Sequence, residues 1–117
     1  MMETVNTQKI NEIKELDDDG SDSVLKGLIN LFLNSTHPKL KKILECHYLK
    51  DYPTARKEAH LLRSSALTLG AEVLSQCAHD IEYAKDGPEL ETTVGTAVKK
   101  ALQEFELVKK ELEKYLS

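Results

Sequence analysis

The chain has 117 residues and a mass of 13.2 kDa, with 16 basic against 20 acidic side chains for a formal net charge of −4. That is room for one domain with a modest core and too little for two. The acidic balance, a pI near 5.6, 5% aromatics and no tryptophan offer neither a basic footprint for nucleic-acid phosphates nor a stacking platform for bases.

The polar stretch Met1 to Lys9 lacks an apolar signal-like core, and no apolar run approaches the roughly 18 residues of a membrane span. A cytoplasmic protein with no membrane partner is expected, with Cys46 and Cys77 reduced. Residues 1–9 read as a flexible or frayed N-terminus. Ile10, Ile13 and Leu16 then make a short amphipathic helix that the run Asp17-Asp18-Asp19-Gly20 ends. Ser21 or Asp22 caps a second helix, whose Val24, Leu25, Leu28, Leu31 and Phe32 recur at helical spacing up to Asn34. Thr36 caps a third, with Pro38 in its first turn and Leu40, Ile43, Leu44 and Cys46 or His47 facing inward as far as Lys50.

Asp51 before Tyr52-Pro53 opens the most regular segment. Tyr52, Ala55, Ala59, Leu62, Ala66 and Leu69 form one unbroken apolar stripe, and Gly70 stands where a glycine stops a helix. The next helix carries Leu74, Cys77, Ala78 and Ile81 inward and ends at Lys85-Asp86-Gly87. Pro88 starts the last, with Leu90, Val94, Ala97, Ala101, Phe105, Val108, Leu112 and Tyr115 on one face. Gly95 weakens its first turns by about 1 kcal/mol relative to alanine. Short connections imply antiparallel neighbours. The expected fold is all-α, an up-down-up-down four-helix bundle capped by one or more short N-terminal helices, as a single domain over residues 1–117.

His60 is left over by this core. At about 100° per residue it lies roughly 130° from the centre of the Ala59, Leu62, Ala66 stripe and faces solvent. Arg56 and Lys57 precede it by one turn, Arg63 follows by one turn, and Ser64 is small. A neutral imidazole is a competent nucleophile for a phosphoryl group, and neighbouring cations stabilise the charge that the group brings. The plain alternative is a solvated helix face that happens to carry a histidine. Cys46-His47 and Cys77-Ala78-His79 do not suggest a metal site, because residues one or two apart on a helix diverge by about 100° or 200°.

The run Ala59-His60-Leu61-Leu62-Arg63-Ser64-Ser65, followed by Leu69-Gly70-Ala71, Leu74 and Ile81-Glu82, resembles the histidine-containing phosphotransfer (HPt) domain family. There A-H-x-L-K-G-S leads to L-G-A, a later leucine and an L-E or L-Q pair. Asp51 stands nine residues before the histidine, where the family often has an aspartate, and Leu28, Ile29, Phe32 and Leu33 look like its apolar second helix. The resemblance implies that His60 is the phosphorylated residue and that Arg63 replaces the lysine that contacts the phosphoryl group. Ser64 replaces the glycine that lets a partner approach, and Glu82 matches the residue bonded to the other ring nitrogen. Arg56 and Lys57 add positive charge, and Leu61 and Leu67, both off the core stripe, are candidates for docking.

The implied activity is a reversible shuttle between aspartates of receiver domains, with a response regulator and a hybrid sensor histidine kinase as partners. Mg²⁺ would be held by the receiver, and no cofactor or metal by this chain. Without a nucleotide-binding motif, the chain reads as a phosphoryl carrier and not as a kinase that uses ATP. The replacements at Arg63 and Ser64 keep a second reading open, a pseudo-HPt scaffold that binds a receiver or kinase without being phosphorylated.

Overall fold

The structure is a computed structural model that describes residues 3–17 and 19–116. Met1, Met2, Ser117 and Asp18 of the acidic run lie outside the described residues. The described residues form five α-helices and no strand: α1 Thr7–Lys14, α2 Ser23–Leu49, α3 Tyr52–Thr68, α4 Glu72–Glu82 and α5 Leu90–Glu113. The four longer helices pack in a ring, α2 on α3, α3 on α4, α4 on α5 and α5 back on α2, with α1 against α2. Only Lys50 and Asp51 separate α2 from α3, and residues 69–71 separate α3 from α4, so packed neighbours run antiparallel. Leu25, Ile29, Leu40, Ile43, Leu62, Leu74, Ile81, Val94, Val98 and Leu112 are among the fully buried side chains that fill the space between them.

The third helix of the sequence reading merges with the second. The structure has one α2 that runs through Pro38, where the spacing predicts a break and a cap at Thr36. Thr36 instead lies buried inside the helix, and His37 is a helical residue with its ring 6.0 Å from Phe105. A mid-helix proline costs about 3 kcal/mol. The apolar stripe, however, continues without interruption through Leu25, Ile29, Phe32, Thr36, Leu40 and Ile43. Burying Leu40 and Ile43 alone contributes roughly 1.5–3 kcal/mol each, enough to offset that cost. Pro38 sits on the exposed side, away from the packed face.

α1 ends at Lys14, ahead of the acidic run, and Asp17 supports the start of α2, where its Oδ2 accepts from the Val24 N–H at 2.8 Å. Asp22 occupies the cap position, its carbonyl accepting from the Lys26 N–H at 2.9 Å, and Ser21 Oγ accepts from the Ser23 N–H at 3.4 Å. Asp22 is left-handed (φ 57°) and its side chain makes no cap bond.

Ahead of α1, Val5 is buried and the Asn6 N–H donates to the Gly70 carbonyl at 2.8 Å, while Asn6 Nδ2 donates to Glu72 Oε1 at 3.0 Å. The polar composition of residues 1–9 hides this attachment. Gly70 also ends α3. With φ +75° it lets the Ala71 N–H reach Ala66 O at 2.9 Å and its own N–H reach Leu67 O at 3.0 Å. A Cβ on Gly70 would stand 2.9 Å from the Asn6 backbone nitrogen and oxygen. Gly95 has a packing reason of its own. The imidazole of His47, buried between α2 and α5, occupies the space where a Cβ at Gly95 would project, with Nε2 only 2.9 Å from it.

Candidate functional site

Asp51 Oδ1 accepts from the Thr54 N–H at 3.3 Å and Pro53 occupies the first turn, so α3 starts where the sequence places it. Its stripe Ala55, Ala59, Leu62 and Ala66 is fully buried. With the stripe anchored, the angular argument fixes the opposite side, and the His60 side chain is 60% exposed.

The neighbouring α4 supplies the partner. Glu82, only 14% exposed, places Oε2 2.5 Å from His60 Nδ1. In the neutral ring, a carboxylate acceptor at Nδ1 favours the tautomer with the proton on Nδ1 and the lone pair on Nε2. The other carboxylate oxygen, Oε1, is buried and lies 3.3 Å from Arg63 Nη1, an ion pair without an aligned hydrogen bond. Arg63 also lies over the Tyr83 ring, 5.4 Å from its centroid. Thus His60 and Arg63, one turn apart on α3, hold one carboxylate of α4 from two sides.

The two helices are tied elsewhere too. Ser75, buried on α4, donates from Oγ to the Arg63 carbonyl at 3.2 Å. Arg56 Nη2 donates to the Ala84 carbonyl at 2.8 Å and to Asp86 Oδ1 at 2.9 Å.

The basic residues around His60 therefore differ in what they do. Arg56 and Arg63 each face a carboxylate, whereas Lys57 is exposed and makes no ion pair among the described residues. Ser64 is exposed one turn beyond the imidazole. Leu61 and Leu67 are 47% and 49% exposed, so neither is covered by α1. Ser75, Tyr83 and Asp86 belong to the same constellation, and the sequence reading passed over them. A signal existed for Ser75, a polar residue on the apolar stripe of Ala71, Leu74, Ala78 and Ile81. None existed for Asp86, which looks like part of an ordinary Lys85-Asp86-Gly87 turn.

The cysteines, His37 and His47 lie apart from this arrangement, and His79 touches it through Tyr83. Cys46 and Cys77 are buried free thiols, and burial pushes both thiols above their ordinary range, so they remain protonated. His47 is packed at Gly95, and His79 stacks on Tyr83 with centroids 4.7 Å apart. No group of three or more His, Cys, Asp and Glu suited to a metal ion occurs among the described residues. No helix among them is long and apolar enough to cross a membrane.

An antiparallel helical bundle that presents an exposed imidazole steadied at Nδ1 by a half-buried carboxylate fits the class of histidine phosphotransfer modules. The sequence profile of the Hpt domain matches residues 27–114, most of the 117-residue chain, and the chain belongs to that family. The match begins inside α2 and takes in α3, α4 and α5, and α1 lies outside it. No curated protein matches the chain in sequence. Membership supports a histidine phosphotransfer role in two-component signalling, where Hpt domains interact with receiver domains and histidine kinases.

Proposed function

We propose that the protein is an active phosphoryl carrier and that His60 is the residue that carries the group, between aspartates of receiver domains. The single observation behind this reading is the Nδ1 contact with Glu82 on an otherwise exposed ring. With its proton held on Nδ1, the imidazole offers the Nε2 lone pair to the phosphorus of an aspartyl phosphate. The N–P bond forms as the P–O bond to the aspartate carboxylate breaks, and the carboxylate leaves with the electron pair. Positive charge that develops on the ring is met by Glu82 through Nδ1–H, and Arg63, one turn on, lies beside the incoming negative charge. The same steps run in reverse onto a second receiver.

Mg²⁺ belongs to the receiver in this scheme, and the chain itself holds no cofactor. Ser64 leaves room for the approaching partner and brings a hydroxyl that can donate to a phosphoryl oxygen. Lys57 contributes positive charge, whereas the Arg56 guanidinium is committed to Ala84 and Asp86, and Leu61 and Leu67 offer the exposed apolar area for docking. A hybrid sensor kinase and a response regulator are the expected partners, in the cytoplasm.

The test is incubation with a phosphorylated receiver domain and Mg²⁺. Label should move to the wild-type chain and not to His60→Gln. Binding without transfer in the wild type would establish the scaffold reading instead, and transfer to His60→Gln would assign the role to another histidine.

A further inference from the structure

Glu82 is the last residue of α4, and the last turn of a helix frays unless something holds it. Beyond it the chain turns through residues 83–89 with Ala84 its only buried residue. The carboxylate that faces His60 therefore sits where the chain leaves α4 for an exposed turn. Arg56 restrains it from outside. Its guanidinium donates to the Ala84 carbonyl and to Asp86, at 2.8 and 2.9 Å, and so ties α3 to the segment just beyond Glu82.

Arg56 and His60 are four residues apart and share a face of α3. The two contacts form successive rungs between the same pair of antiparallel segments, with Ser75 to Arg63 as a third rung on the far side of the histidine. Removing the Arg56 rung leaves the Glu82 carboxylate held to α3 by His60 and Arg63 alone, with no tie beyond the end of α4.

We propose that Arg56 is a positioning residue: it clips residues 84–86 to α3, keeps Glu82 on His60 Nδ1, and through Glu82 holds the imidazole in the tautomer with its Nε2 lone pair outward. The inference rests on the reading of His60 as the phosphoryl acceptor. It also gives Arg56 a different task from docking, because a guanidinium turned toward a phosphoryl group or a partner would have to release both present acceptors.

The tautomer is read directly from ring ¹⁵N shifts of the full chain labelled at histidine, with His60→Gln to assign the signal. Spectra are taken at alkaline pH, where an ordinary imidazole is neutral. Wild type should show the Nδ1–H form, and Glu82→Ala should move it to the Nε2–H form that an unrestrained histidine side chain prefers. Arg56→Gln, which keeps much of the stem and loses the guanidinium, should move the signal most of the way with little change in melting temperature. Arg56→Lys, able to keep one rung, should restore part of it. In transfer assays Arg56→Gln should accept phosphoryl about three- to tenfold more slowly at saturating receiver, with unchanged receiver affinity.

A wild-type tautomer in Arg56→Gln overturns the proposal, as does a loss of receiver affinity with the tautomer intact. The two readings fail separately. If the tautomer moves but wild type accepts no phosphoryl group, the clip stands and the shuttle falls. If wild type transfers but the tautomer does not move, the shuttle stands and the clip falls.

Discussion

Glu82 faces two different side chains with its two oxygens, and the division gives each neighbour a separate task. Oε2 fixes the imidazole, while Oε1 is held by Arg63, which keeps the carboxylate from rotating away. Arg63→Ala should therefore lower the rate of phosphoryl acceptance about tenfold, or roughly 1.4 kcal/mol, as measured by quenched-flow transfer at saturating phosphorylated receiver. Arg63→Lys should recover part of that rate, since the charge remains while the planar fork that rests on Tyr83 is lost. At this scale His60 was legible in the sequence because it falls off a strongly periodic stripe, and Glu82 was legible only through the resemblance. The grip of Arg56 on residues 84–86 was not legible at all, since it joins positions 28 and 30 residues apart whose meeting is set by how α3 packs on α4.

The helices report the same contrast between local and tertiary causes. α3 follows from sequence at both ends, because the Asp51 cap, Pro53 and Gly70 act within a few residues of themselves. The single α2 does not, because the choice between breaking and continuing at Pro38 is made by the burial of Leu40 and Ile43 against other helices. Attachment of residues 5 and 6 is likewise tertiary. Gly70 is the point where the two levels meet, as it supplies both the left-handed turn and the space for Asn6. Gly70→Ala should destabilise the fold by about 1–3 kcal/mol, from the positive φ and the displaced Asn6 backbone together. Thermal melting should show a fall of at least several degrees. An unchanged melting temperature would mean that residues 5 and 6 are not held against the α3 end.

Over the whole molecule, the net charge of −4 averages over a surface on which basic residues cluster near His60. The structure shows the cluster to be weaker than its sequence spacing suggests, since Arg56 and Arg63 both face carboxylates. Receiver binding should accordingly depend little on salt and more on apolar contact. Raising ionic strength well above the physiological range should weaken the complex by less than about threefold. Leu61→Ala should weaken it by more than about fivefold, or roughly 1 kcal/mol. Calorimetric titration with an unphosphorylated receiver measures both.

The central claim is that phosphate resides on His60. After incubation with a phosphorylated receiver and Mg²⁺, the chain can be digested at alkaline pH, where phosphohistidine survives, and the modified residue read by mass spectrometry. A single acid-labile phosphoryl group on the peptide that contains His60 is the predicted result; no modification, or one confined to His37, His47 or His79, would contradict it.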